Sequence, residues 1–177
     1  MGGFGGALKQ LSIGFGSTKG KTWIHTAGQS INQSEAFTIP TPQENFTASM
    51  GDAAWAIHNY FTTNGGIAYI NVLANISIDC DCAGQSAHAP QINNIGILAS
   101  TDPVAIDQAC LDLIKKTSET GTQAFLDRVK NLMGENTIAA AEKLGVGKKE
   151  YNLEEVTINA SVYLRANLLL LLLLLFV

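Results

Sequence analysis

Apolar positions recur along this chain in two rhythms. Between Gln43 and Thr62 they fall at Phe46, Met50, Ala53, Ala54, Ile57 and Phe61, one stripe at helical spacing. Asn64-Gly65-Gly66 follows and supplies the left-handed backbone that ends a helix. Ile67–Ile76 and Asn94–Ser100 are different. They are short, β-branched and nearly continuous in apolar residues, which predicts two strands buried on both faces. Lys21–Ala27 predicts a further strand, and the polar stretch from Gly28 to Asn45, with Pro40 and Pro42, a loop. Asp102 is a natural N-cap with Pro103 at the first helical position, so a helix is expected from there to Lys116. Two more helices are predicted, Thr122–Leu132 and Asn136–Leu144, with Gly145 as the stop, and Tyr151–Val156 reads as a last strand. Strands alternating with helices predict an α/β domain over residues 1–156. Its sheet is expected to be mostly parallel or mixed, with flanking helices, and to belong to a larger domain.

The end of the chain breaks both rhythms. Leu168–Leu175 are eight consecutive leucines, followed by Phe176 and Val177. Ten helical residues span about 15 Å, half of a bilayer core, and Arg165 blocks extension upstream. No membrane anchor is expected there. Residues 157–177 read instead as a tail outside the domain.

Composition narrows the classes. Only 15% of the 177 residues are charged, and the net charge is −4. A nucleic-acid partner needs a basic footprint, which this balance does not supply. The opening Met1-Gly2-Gly3-Phe4 has neither a basic region nor an apolar core of a secretory signal, so a reducing cytoplasm is expected. Three cysteines are too few and odd in number for a disulfide framework.

Three places hold candidate chemistry. Asp79-Cys80-Asp81-Cys82 follows the first buried strand, at the strand end where sheet ligands bind, and His88 lies six residues on. Two thiols, two carboxylates and an imidazole can ligate a transition metal. They equally suit a tight acidic turn around one buried thiol. The opening glycines, with Gly3, Gly5, Gly6 and Lys9 as candidate cofactor contacts, can seat an anion on their amides or form a close-packed turn into a helix. Asp102 and Asp107 are the candidate catalytic acids, and Asp107 falls between apolar neighbours near a helix start. Cys110 lies on the apolar stripe of that helix and reads as a core residue.

Three segments in order, GGFGGALKQLSIGFGSTKGK, YINVLANISIDCDCAG and IGILASTDPVAIDQACLDLI, resemble the domain of unknown function 362, whose members are often described as iron–sulphur centre proteins. The resemblance covers residues 1–156. It implies an α/β domain of cytoplasmic type with no established reaction. It also implies that this chain corresponds to the C-terminal portion of a longer protein. Many members insert a ferredoxin-like module where this chain has Gly28–Asn45, a stretch without cysteine. Only Cys80 and Cys82 then remain as thiolate ligands, for a transition metal or an iron–sulphur cluster. The leading expectation is a metal- or redox-linked domain. The rivals are a non-catalytic interaction module and an anion-binding enzyme built on the glycine-rich opening. Self-association, or dependence on an absent N-terminal half, is expected of the chain.

Overall fold

The computed structural model describes residues 4–79 and 85–156. Six helices and one two-stranded sheet follow in the order α1 (Ala7–Lys9), α2 (Thr18–His25), α3 (Gln43–Thr63), β1 (Tyr69–Leu73), β2 (Gly96–Ser100), α4 (Pro103–Lys115), α5 (Thr120–Asn131) and α6 (Gly134–Lys143). A single π-helical turn, Gln10–Gly14, continues α1. The mixed α/β class holds, and of the expected mostly parallel or mixed sheet the described residues show one antiparallel pair. β1 and β2 are antiparallel, in register from Tyr69 opposite Ser100 to Leu73 opposite Gly96. A parallel pair needs a crossover helix between its strands. Among the described residues of the connection 74–95 there is no α-helix, and the two strands close as a long hairpin.

Beyond the ladder, Ile76 still bridges Ile92. Three steps from Leu73 to Ile76 face four from Ile92 to Gly96, so the second strand carries one extra residue. Leu73 O accepts from Ile95 N at 2.8 Å, and Gly96, at φ +154°, absorbs the bulge.

The strands are buried on one face only. Tyr69 and Leu73 face inward. Ile70, Val72 and Ile97 are 69%, 62% and 71% exposed, so the expected burial on both faces is corrected. Continuous apolar runs come from any strand whose outer face also carries β-branched residues, and among the described residues no helix covers that face.

α4 packs against both strands, with α1 and α6 also touching it, and α3 lies against α6. The core gathers Leu8 and Leu11, Tyr69 and Leu73, Val104, Ile106, Leu111 and Ile114, Phe125 and Val129, and Ile138. α3 buries Phe46, Met50 and Ala54 at the expected four-residue spacing.

The stretch Lys21–Ala27, predicted as a strand, is helical through His25. Ser17 caps α2 by accepting from Gly20 N. Thr22 and Thr26 are four apart and fully buried, and each hydroxyl donates to the carbonyl four residues back, at 3.1 and 2.9 Å. Their β-branching favours a strand, but in a helix they satisfy their own polarity and can be buried. Tyr151–Val156 pairs with no described strand and runs as irregular, exposed chain. Among the described residues no helix is long and apolar enough to cross a membrane.

Asp102 closes the architecture. Its Oδ1 accepts from Val104 N and Ala105 N at 2.8 and 2.9 Å, capping α4, and its Oδ2 accepts from Lys148 N at 2.9 Å. A Cβ on Gly147 would fall inside this carboxylate, so only glycine lets the chain after α6 approach it. Asp102→Ala is expected to cost about 2 kcal/mol, from a lost cap and a lost long-range acceptor. Urea unfolding measures this; a loss below about 0.5 kcal/mol, the scatter of an ordinary surface substitution, would contradict the double role.

Candidate functional site

The site begins with a buried carboxylate. Asp107 lies in the second turn of α4, 1% exposed. Its Oδ1 accepts from Ala7 N at 2.7 Å and from Asn71 Nδ2 at 2.8 Å, and its Oδ2 from Leu8 N at 2.9 Å. Three donors on two oxygens are the shell of an ionised carboxylate. Burial still raises its pKa to about 6, against the opposing pull of those hydrogen bonds. A Cβ on Gly6 would lie 2.5 Å from Oδ1, so the glycine at this position lets the opening backbone reach the acid.

Asn71 Nδ2 also lies 3.4 Å from Cys110 Sγ. Burial, the largest influence, pushes this thiol up to about 11. It stays protonated at neutral pH and is a core residue rather than a thiolate donor.

A cleft of about 420 Å³ opens beside this cluster. Phe4, Gly5, Gly6 and the four residues Ile70–Leu73 line it. Leu111, Ile114, Phe125 and Asp79 line it as well. Thus Gly5, Gly6 and Asp79, drawn from two separate predicted sites, meet at one cleft. Lys9 lies outside this lining, and Gly3 outside the described residues.

Asp79 and His88 lie in the hairpin connection. Asp79 Oδ2 accepts from His88 N at 2.9 Å and lies 2.5 Å from His88 Nδ1. Arg128 Nη2 of α5 stands 3.7 Å from Asp79 Oδ1. The backbone N–H of His88 above all, then its ring, holds the Asp79 carboxyl below the usual range. A carboxylate only accepts, so Nδ1 is the donor and neutral His88 carries its lone pair on Nε2. The imidazole is 61% exposed. Ser77 Oγ donates to His88 O at 2.9 Å and closes the same turn. Cys80, Asp81 and Cys82 lie outside the described residues. Among the described residues no three His, Cys, Asp or Glu side chains gather as a metal site.

The two candidate catalytic acids do not converge. Asp102 faces the chain after α6, whereas Asp107 faces α1 and β1. Sequence reasoning did not single out Asn71, Arg128 or Gly147. Asn71 carries a legible signal, as the one amide inside the apolar run Tyr69–Leu73. Arg128 and Gly147 carry none, because their partners lie 49 and 45 residues away in the chain.

A family model described as a domain of unknown function (DUF362) matches residues 1–112. No curated protein and no solved structure matches the chain.

Asp107 gives the fold a pH signature. Unfolded, an aspartate titrates near about 3.9. Folded, Asp107 does so near about 6. Between these values the folded state keeps a proton that the unfolded state has released, so stability falls as pH rises. Relative to Asp107→Asn, which cannot titrate, the wild type should lose up to about 3 kcal/mol between pH 4 and 6. Urea unfolding across that range measures the difference; a constant difference would contradict the assignment.

Proposed function

The chain belongs to the DUF362 family, and we propose that within it this is a metal-binding domain, with one soft transition-metal ion held on the hairpin connection by Cys80, Cys82 and His88. The Asp79–His88 pair is the observation that supports this reading. A carboxylate on Nδ1 fixes the imidazole's tautomer and orientation and leaves Nε2 free to coordinate, the usual outer-shell arrangement of a ligating histidine. Two thiols precede it by eight and six residues in sequence, and thiolate with imidazole suits soft ions. Asp79 is then a positioning residue rather than a ligand, since both its oxygens already face partners.

A four-iron cluster fits less well. It takes four thiolates, and this chain has three cysteines, of which Cys110 is a buried thiol. A bound ion of variable valence would supply one-electron chemistry on the hairpin connection. The protein's own part is to fix His88, hold Asp79 ionised and present an apolar cleft beside it. The anion-binding reading has less support. The Ala7 and Leu8 amides, which an anion on the opening would use, already serve Asp107. The interaction-module reading draws on the exposed Ile70, Val72 and Ile97.

Anaerobically purified protein should contain one transition-metal ion per chain by elemental analysis. Cys80→Ser, Cys82→Ser and His88→Ala should each abolish stoichiometric metal. Asp79→Asn should weaken metal affinity about 10- to 100-fold. Cys110→Ala should leave the metal content unchanged. A metal-free wild type, equally stable after incubation with zinc or ferrous iron, would overturn the reading.

A further inference from the structure

Asn71 commits one arm of its amide and leaves the other open. Its Nδ2 donates to Asp107 Oδ1 at 2.8 Å and lies 3.4 Å from Cys110 Sγ. Among the described residues nothing donates to its Oδ1, and no unpartnered side-chain oxygen is sealed in the interior. Oδ1 is therefore accessible, and Asn71 lines the cleft. With Asp107 ionised, this side chain offers the cleft an acceptor.

The shell of Asp107 suits the charged acid alone. Ala7 N, Leu8 N and Asn71 Nδ2 all donate to it. A protonated carboxyl carries an O–H, which needs an acceptor once it is buried. Ala7 and Leu8 cannot provide one. They open α1, where the first backbone N–H groups have no acceptor inside the helix and their direction is set by it. Asn71 can. A primary amide holds a donor and an acceptor on two arms of one flat group, and half a turn about its last torsion exchanges them. The proton then sits on Asp107 Oδ1, the oxygen that faces Asn71, and is donated to Asn71 Oδ1. Lone pairs on the two acid oxygens go on receiving Ala7 N and Leu8 N. Cys110 Sγ, which lay against Nδ2, now faces Oδ1 and donates its S–H. Burial keeps that thiol protonated, so the donor is present. Every partner is satisfied in both states.

We propose that Asp107 and Asn71 form a proton-driven amide switch at the cleft. Uptake of one proton from solvent by Asp107 inverts the Asn71 amide, and the cleft then presents an N–H donor where it presented a carbonyl oxygen. The ionised state suits a ligand with a hydroxyl or N–H beside an apolar body. The protonated state suits one with a carbonyl or ether oxygen in that place. Burial of Asp107 puts the change near about pH 6. Among the described residues the titratable group beside this pair is Cys110. Tyr69 of β1 turns its hydroxyl to His58, the Lys9 charge of α1 acts on His25, and β2 carries no titratable side chain. On α6, Glu135 and Glu142 are taken by Lys115 and Lys149. The inference does not depend on the metal reading.

Nuclear magnetic resonance of the full 177-residue chain tests it. At about pH 8 the Asn71 Nδ2 protons and the Ala7 amide proton converge on one oxygen and should give a cross-relaxation peak. By about pH 5 that peak should be lost, with the same midpoint as the Asp107 carboxyl carbon shift. Asp107→Asn should lack the peak even at about pH 8, because its own Nδ2 donates to Asn71 Oδ1. A peak that persists after the carboxyl carbon has titrated would overturn the proposal. So would a folded Asp107→Asn that shows it, or a carboxyl carbon that keeps its ionised shift down to about pH 4. If the peaks between α1 and α4 vanish with it, the opening has left the acid rather than the amide having turned, and that too would overturn the proposal. Should Asp107→Asn fail to fold, the wild-type titration decides by itself.

Discussion

One carboxylate joins the glycine-rich opening, β1 and α4 beside the cleft. Asp107 takes two amides from the opening segment and one side-chain amide from β1, and presents all three to α4. Burying a charge without partners costs several kcal/mol, so the shell must be complete for the fold to tolerate it. That demand fixes three elements at once. It sets how closely the glycine-rich opening approaches α4, which way Asn71 points, and so how wide the cleft between them stands. A shift of any one would leave a buried acceptor unmet.

Elsewhere the chain is held by acids that reach across loops. Asp102 takes Lys148 N, and Glu119 takes both the backbone and side-chain amides of Asn93. Asp79 takes His88 N. Each fixes a backbone amide that lies outside the described helices and strands. A sheet of two strands is marginal by itself, so these side-chain ties, together with α4, keep the hairpin in place. With acids spent on backbone amides, a low charge content is compatible with an ordered set of loops.

The helices of this fold are legible in the sequence, the sheet is less so, and the site is legible only in part. Asp102-Pro103 announces α4, and the Phe46–Met50–Ala54 spacing announces α3, because capping and periodicity are local signals. α2 is missed because Thr22, Trp23 and Ile24 favour strands locally, while tertiary burial of Thr22 and Thr26 decides the outcome. The antiparallel pairing is implicit in the absence of any helical stretch between Ile76 and Asn94, but apolar continuity reads as burial on both faces. Asp107 and Gly6 attract notice separately, as an acid among apolar neighbours and as one glycine of several. Their meeting spans 101 positions and cannot be read from either neighbourhood. Asp79 and His88 are readable as a pair from the sequence. That the acid holds the ring, rather than standing beside it as a fellow ligand, requires coordinates.

That separation also bears on how the protein is made. The amides of Ala7 and Leu8 leave the ribosome 100 and 99 residues ahead of the carboxylate that receives them. At about 5–20 residues per second, the opening segment waits roughly 5–20 s for its partner. During that interval Leu8 and Leu11, later among the most buried side chains, have only α3 and β1 to pack on, without the α4 side of their core. α4 is thus the point in synthesis at which the shell of Asp107 can first close, and any pause in translation before Asp107 lengthens the time for which the Ala7 and Leu8 amides lack their acceptor.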